Sequence, residues 1–252
     1  MGEKCSQSLS LIIPVYNEEK LLVEAVEDCL AALQKDFEDF ELILINDGST
    51  DRTEHILREE FAGKKNMVIV SNYINLNQGI SIQRAMAMAS KSYTVHNGID
   101  LPLKPSEIRR HLETIGDTEV LILQRRIYAG ATRWRLLTSK LNILIRKILF
   151  PILSKGIRDM NFTQIYKTSI IPRVLPLAKS PAFTTPEMIF RAKVLNLRVK
   201  LADADFSERT EGTGSLGKLH DILWTIYDML RFRYLLWIGI DKHSKIKLKG
   251  RK

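Results

Sequence analysis

Short apolar runs alternate with segments of helical periodicity through the first half of the chain. Leu9-Ser10-Leu11-Ile12-Ile13 and Glu41-Leu42-Ile43-Leu44-Ile45 are β-leaning, and each stops in a polar turn. The turns are Pro14-Val15-Tyr16-Asn17-Glu18 and Asn46-Asp47-Gly48-Ser49-Thr50-Asp51. Behind the first, Leu21, Leu22, Ala25, Val26, Cys29, Leu30 and Leu33 share a helical stripe, with Glu24, Glu27 and Asp28 opposite. Behind the second, Asp51 with Glu54 three residues on reads as an N-cap and capping box. Met67–Val70, Tyr93–His96 and Val120–Leu123 read as three further strands. Asn75-Leu76-Asn77-Gln78-Gly79 leads into a helix carrying Ile80, Ile82, Ala85, Met86 and Ala89, and Asn97-Gly98-Ile99-Asp100 closes the fourth strand. Repeated strand–helix units predict a parallel sheet with right-handed crossovers. Open sheets of this kind bind ligands at their carboxyl edge, where both polar turns fall. From about Arg125 the alternation stops, and the second half reads as long helices and loops packed over that edge.

Composition narrows the class. Hydrophobic residues make up 45% and charged residues 27% of 252 residues, which excludes wholesale disorder. The two cysteines, Cys5 and Cys29, lack metal-ligand spacing, and the N-terminus does not resemble a signal peptide, so a cytoplasmic protein with reduced thiols is expected. The net charge of +9 is unevenly placed: nine Lys or Arg and no Asp or Glu lie between Val120 and Arg158, and a second basic cluster runs from Lys242 to Lys252. Basic patches attract nucleic acid, anionic lipid or phosphorylated substrates. Here the cations interleave with aliphatic runs rather than aromatics, which argues against nucleic acid. Leu141–Phe150 is too short to span a membrane, and Ile222–Ile240 carries Asp228, Arg231 and Arg233. Either these are core helices with solvated cations, or they lie in a membrane interface.

The succession Ile-Pro-Val-Tyr-Asn-Glu, Asn-Asp-Gly-Ser-Thr-Asp, Asn-Gln-Gly and a strand ending in an acidic turn resembles family 2 glycosyltransferases, over roughly residues 8 to 215. Within them it looks most like the polyprenyl-phosphate (dolichol-phosphate) mannosyl- or glucosyltransferases. The resemblance implies an α/β protein of the GT-A (Rossmann-like) fold, with a mostly parallel central sheet flanked by helices and a helical C-terminal segment. It implies a GT-A domain over residues 1–220, with a nucleotide-sugar half at about 8–125 and an acceptor half at about 126–220, followed by an amphipathic helix and basic tail at 221–252. Donor binding would fall to Pro14, Tyr16, Glu18, Asn46, Asp47, Gly79, Arg125 and Arg209. Asn46 stands where the family usually has a second Asp. Arg126 shares the position of Arg125. Arg133, Trp134 and Arg135 fall in a loop expected to cover the donor, and Gly212, Gly214 and Ser215 accompany Arg209. The metal triplet, usually Asp-x-Asp, is Gly98-Ile99-Asp100, so one carboxylate remains for Mg²⁺ or Mn²⁺. Asp100, Asp159 and Glu187 are the catalytic candidates, the last two as bases if the acceptor is a hydroxyl.

The implied activity is inverting transfer from a nucleotide-diphosphate sugar to a membrane-surface acceptor, a polyprenyl phosphate or a lipid-linked glycan. The protein would sit peripherally on an anionic membrane at its inner face. Asn46 and Gly98 leave open a second class, a catalytically weakened nucleotide-sugar-binding or scaffolding relative. A dinucleotide oxidoreductase is excluded, because no Gly-x-Gly-x-x-Gly follows the first strand.

Overall fold

The structure, a computed structural model, describes residues 3–125, 133–205 and 219–239. Among them, seven strands pair into a single sheet: β1 (Leu9–Val15), β2 (Phe40–Asn46), β3 (Met67–Ser71), β4 (Tyr93–His96), β5 (Val120–Arg125), β6 (Gln164–Lys167) and β7 (Val199–Ala204). Their order is β3-β2-β1-β4-β6-β5-β7, and every pairing is parallel except those of β6, which runs against both β4 and β5. The expected parallel sheet is therefore present.

Alternation along the central strands explains their near-continuous apolar sequence. Leu9, Leu11, Ile13, Leu42, Leu44, Leu121 and Leu123 enter one core, while Ile12, Ile43, Ile45, Val120 and Ile122 enter the other. A strand covered on both faces has no polar side to show. The first core is closed by α1 (Leu22–Asp36), whose Leu22, Val26, Cys29 and Leu33 are buried, and by α4 (Pro105–Glu113). Between them in sequence lie α2 (Thr53–Ile56), continuing into a π-turn at Leu57–Phe61, and α3 (Gln78–Met86). The second core is closed by α3, α5 (Arg133–Leu149), α6 (Ile171–Val174), α7 (Pro181–Val194) and α8 (Leu219–Ile238). Phe150, Phe183, Phe190 and Phe232 pin the α5 terminus, α7 and α8 together, with ring centroids 4.8 to 6.3 Å apart.

Three expectations change. The second half contributes two strands, β6 and β7, and its helices cover a face of the sheet rather than lying only over its edge. Asp51 does accept from the Thr53 N–H at 3.0 Å, but Glu54 does not reach back to complete a capping box. It turns towards the ends of β2 and β3 instead. Leu21 stands just before α1, outside its buried stripe, and is 37% exposed. Among the described residues no helix is long and apolar enough to cross a membrane.

Candidate functional site

The carboxyl ends of β1 and β2 are stitched into one wall. Asn17, at φ +55°, donates its N–H to Ser49 Oγ (3.0 Å) and accepts from the Thr50 N–H at 2.8 Å. Thr53 Oγ1 accepts the Glu18 N–H at 2.9 Å, and Asp51 accepts the Glu19 N–H at 3.3 Å. Gly48 turns at φ +69°, and a Cβ there would strike the backbone of Ile74 and Asn75, so the turn needs glycine. On this wall Tyr16 is exposed, while Pro14 and Glu18 are partly buried.

Asp47 sits at the centre and is only 4% exposed. Its Oδ1 accepts from Asn72 Nδ2 (2.9 Å), the Leu76 N–H (2.9 Å) and Ser81 Oγ (2.7 Å). Arg84 in turn donates to Asn72 Oδ1. The second oxygen, Oδ2, has no partner among the described residues and is not one of the polar atoms sealed from solvent. Sequence reasoning missed Asn72 and Ser81. Ser71-Asn72 closes β3 as Asn46-Asp47 closes β2, and Ser81 interrupts an apolar helical stripe; those were the available signals.

Asn46 lies beside Asp47 but faces the protein. Its Nδ2 donates to Glu54 Oε2 at 2.5 Å, and its Oδ1 accepts the Ser49 N–H at 3.0 Å. Burial pushes the Glu54 carboxyl up, yet hydrogen bonds from Ser71, Arg58 and Asn46 outweigh it and hold the group below its ordinary value. Gly79 opens α3 in close contact with another element: a Cβ there would meet Thr184 Oγ1 and the Lys179 carbonyl. Its lack of a side chain serves the seating of α7 and its preceding loop on α3.

At the end of β4, Asn97 pins the following loop, donating to the Leu103 carbonyl at 2.7 Å. Asp100 lies exposed on that loop. Among the described residues no group of three His, Cys, Asp or Glu converges to hold a metal. A single carboxylate joined by substrate phosphates suits Mg²⁺ or Mn²⁺, hard cations that keep several waters. Behind the loop, burial pushes the His96 imidazole down to about 4, and its Nδ1 has no partner among the described residues.

The structure joins two of the candidate groups to each other. Arg125 Nε donates to Asp159 Oδ2 at 2.6 Å, and the guanidinium lies over the Phe162 ring. Asp159 is 4% exposed. Glu187 is buried in α7, accepting the Leu177 and Ala178 N–H groups at 3.0 and 2.8 Å and pairing with Arg191. Burial raises its carboxyl above the ordinary value, opposed by Arg191 and these hydrogen bonds. It stands as a clamp on the loop before α7. Arg126, Arg209, Gly212, Gly214, Ser215 and the basic residues from Lys242 to Lys252 lie outside the described residues, and so do the side chains of Arg133, Trp134 and Arg135.

A seven-stranded mixed sheet with polar turns at the carboxyl ends of β1, β2 and β4 is the GT-A architecture of glycosyltransferases. The glycosyl transferase family 2 model matches residues 10–174, and the chain belongs to that family. The undecaprenyl-phosphate 4-deoxy-4-formamido-L-arabinose transferase of Pectobacterium atrosepticum is 32% identical over 143 residues, covering 56% of this chain and 44% of that protein. The same-named protein of Pectobacterium carotovorum is 31% identical over 229 residues, covering 89% of this chain and 67% of its own length. The chain thus spans about half to two thirds of these relatives. Glucosyl-3-phosphoglycerate synthase from Mycobacterium tuberculosis, solved with phosphoglyceric acid, superposes with a TM-score of 0.65 at 20% identity, over 89% of this chain and 79% of that one. Its complex with Mn²⁺, uridine diphosphate and glucosyl-3-phosphoglycerate gives 0.63 at 19% identity, over 90% and 80%.

Proposed function

We propose that this chain transfers a sugar from a nucleotide-diphosphate donor to a polyprenyl phosphate at a membrane surface, with inversion at the anomeric carbon. The observation that carries the reading is Asp47: a nearly buried carboxylate at the sheet's carboxyl edge, one oxygen held by three donors and the other open. That open oxygen suits an N–H of a nucleobase, with Tyr16 on the same wall. The names of the relatives support the acceptor class, and a neighbour's bound uridine diphosphate supports the donor class.

In this reading an oxygen of the acceptor phosphate attacks the anomeric carbon as the bond from that carbon to the diphosphate oxygen breaks. The nucleoside diphosphate leaves on the opposite side. A phosphate is already an anion, so no side chain need remove a proton. That agrees with Asp159 and Glu187 both being committed to arginines. Asp159 then acts as the anchor that holds Arg125 at the end of β5, where a guanidinium can meet diphosphate charge. Asp100 would hold a divalent cation against the diphosphate, and that ion offsets charge growing on the leaving group.

Helices α5 and α8 supply the membrane side of the proposal. The inner stripe of α8 is Thr225, Asp228, Met229 and Phe232; outward it presents Leu223, Tyr227, Leu230, Tyr234 and Trp237, the last 69% exposed. Leu144 and Ile148 on α5 are exposed as well, beside Lys140 and Lys147. Apolar and aromatic side chains with flanking cations suit the interface of an anionic bilayer.

Transfer tests the proposal directly. Radiolabelled uridine- and guanosine-diphosphate sugars are incubated with the protein, Mg²⁺ or Mn²⁺, and undecaprenyl phosphate in anionic vesicles. Label moving into the lipid phase is expected. Gly98 in place of a second carboxylate favours one rival reading, a nucleotide-sugar-binding relative without turnover. Binding of those donors by calorimetry with no transfer under any condition would select it.

A further inference from the structure

We propose that Glu54 is a positioning residue for the donor: its carboxylate, locked to the Asn46 amide, sets the turn that aims Asp47 at the nucleotide. The inference rests on the reading of the crevice as a nucleotide site.

Glu54 collects three donors from three elements. Oε2 accepts from Asn46 Nδ2 at the end of β2 and from Ser71 Oγ at the end of β3, both at 2.5 Å. Oε1 accepts from Arg58 Nε at 2.6 Å. An ionised carboxylate only accepts, so it dictates which way the Asn46 amide faces. Nδ2 must point to Glu54, which leaves Oδ1 to take the Ser49 N–H. The Asn46 carbonyl also takes the Asn72 N–H at 2.9 Å, and Asn72 then reaches Asp47 Oδ1. Asn46 therefore bridges Glu54 to the turn that carries Asp47, and Ser49 extends the bridge to the β1 turn through Asn17.

The same contact restricts what position 46 can be. An Asp there would place two carboxylates 2.5 Å apart in a half-buried site. Like charges so close cannot both ionise, and the pair would hold one proton between them. Positions 46 and 54 thus form a unit of one amide and one anion. Asn46 is the neutral half of that unit rather than a worn nucleotide ligand. The negative half of the unit is Glu54, which Arg58 meets from the solvent side.

The test uses the full chain and its Asn46→Asp, Glu54→Gln and Asn46→Asp/Glu54→Gln variants. Uridine diphosphate affinity is measured by calorimetry at about pH 8 and about pH 5.5, with melting temperatures recorded alongside. Asn46→Asp should weaken binding by about tenfold or more at the higher pH, and recover towards the wild type at the lower, where the pair gains its proton. The double variant swaps the roles, an amide at position 54 donating to a carboxylate at position 46, and should return within about threefold at both pH values. Glu54→Gln alone should cost less than Asn46→Asp, since its amide oxygen still accepts. Melting temperatures without ligand should follow the same order. If Asn46→Asp and the double variant are equally weak at both pH values, position 46 acts alone and the proposal fails. If affinities and melting temperatures both stay at wild-type level in Asn46→Asp, the pair has no role. Wild-type protein that binds no nucleotide would overturn the crevice reading and the positioning role with it, even where melting temperatures trace the pair.

Discussion

Asp47→Asn isolates the open oxygen of the crevice from the three hydrogen bonds beneath it. The amide keeps an oxygen where Oδ1 accepts from Asn72, Leu76 and Ser81, so those donors stay satisfied. The NH₂ replaces Oδ2 and turns an acceptor into a donor facing the base. Hydrogen bonds to a charged group contribute about 1.5–3 kcal/mol, against about 0.5–1.5 for neutral ones. With three such bonds, stability should therefore fall by about 3–4 kcal/mol as they lose their charge. Nucleotide binding should lose about 1.5–3 kcal/mol, or about 10- to 150-fold in Kd. Asp47→Ala would be the poorer probe, because it strands three donors at about 1–3 kcal/mol each and confounds unfolding with ligand loss. Calorimetric titration with uridine and guanosine diphosphates reads the affinity, and scanning calorimetry reads the fold. A folded Asp47→Asn protein that binds every nucleotide within about twofold of wild type would refute the assignment.

Three more outcomes are expected. Gly98→Asp should tighten Mn²⁺ binding about tenfold or more by restoring a hard oxygen ligand; the new Cβ meets the movable Asp100 carboxylate rather than backbone, and an unchanged titration would show that Asp100 is not at the metal. His96, held down at about 4 against an ordinary 6.5, stabilises the fold fully above 6.5 and loses that contribution as pH falls through 4. That amounts to about 3 kcal/mol, and denaturant titrations across the window should show a smaller loss for His96→Gln; equal losses would place the titrating group elsewhere. Tyr227→Ser combined with Trp237→Ser on the outer face of α8 should reduce sedimentation with anionic vesicles at low salt without lowering the melting temperature, whereas undiminished sedimentation would move the docking face off α8.

The crevice at the ends of β1 and β2 was legible because both strands are buried on both faces, and their polar turns break an otherwise unrelieved apolar pattern. The second half lacks that contrast. β6 has four residues and runs antiparallel, and β7 is an edge strand whose Lys200 and Leu201 are both exposed, so neither shows a period. In sequence Glu54 presents itself as a local helix cap, because three-residue spacing is all that sequence displays. Its true partners, Asn46 and Ser71, lie 8 and 17 positions away in the chain. Arg125 and Asp159 were legible as residue types but not as partners, being 34 residues apart.

The reversed direction of β6 has a consequence for how the molecule can vary. The chain leaves the sheet's carboxyl edge at Arg125 and returns to that same edge at Gln164. Near its two ends the excursion is latched by the Arg125–Asp159 ion pair at 2.6 Å. It behaves as a cassette with its own clasp. Lengthening its loops leaves the strand register untouched, since closing a longer loop costs only about 0.6 kcal/mol per doubling, provided that Ile145, Leu149, Phe150 and Ile157 keep their places in the second core. Under the proposed reading, acceptor preference can be exchanged between relatives by swapping the cassette, while the donor wall stays fixed on β1 and β2.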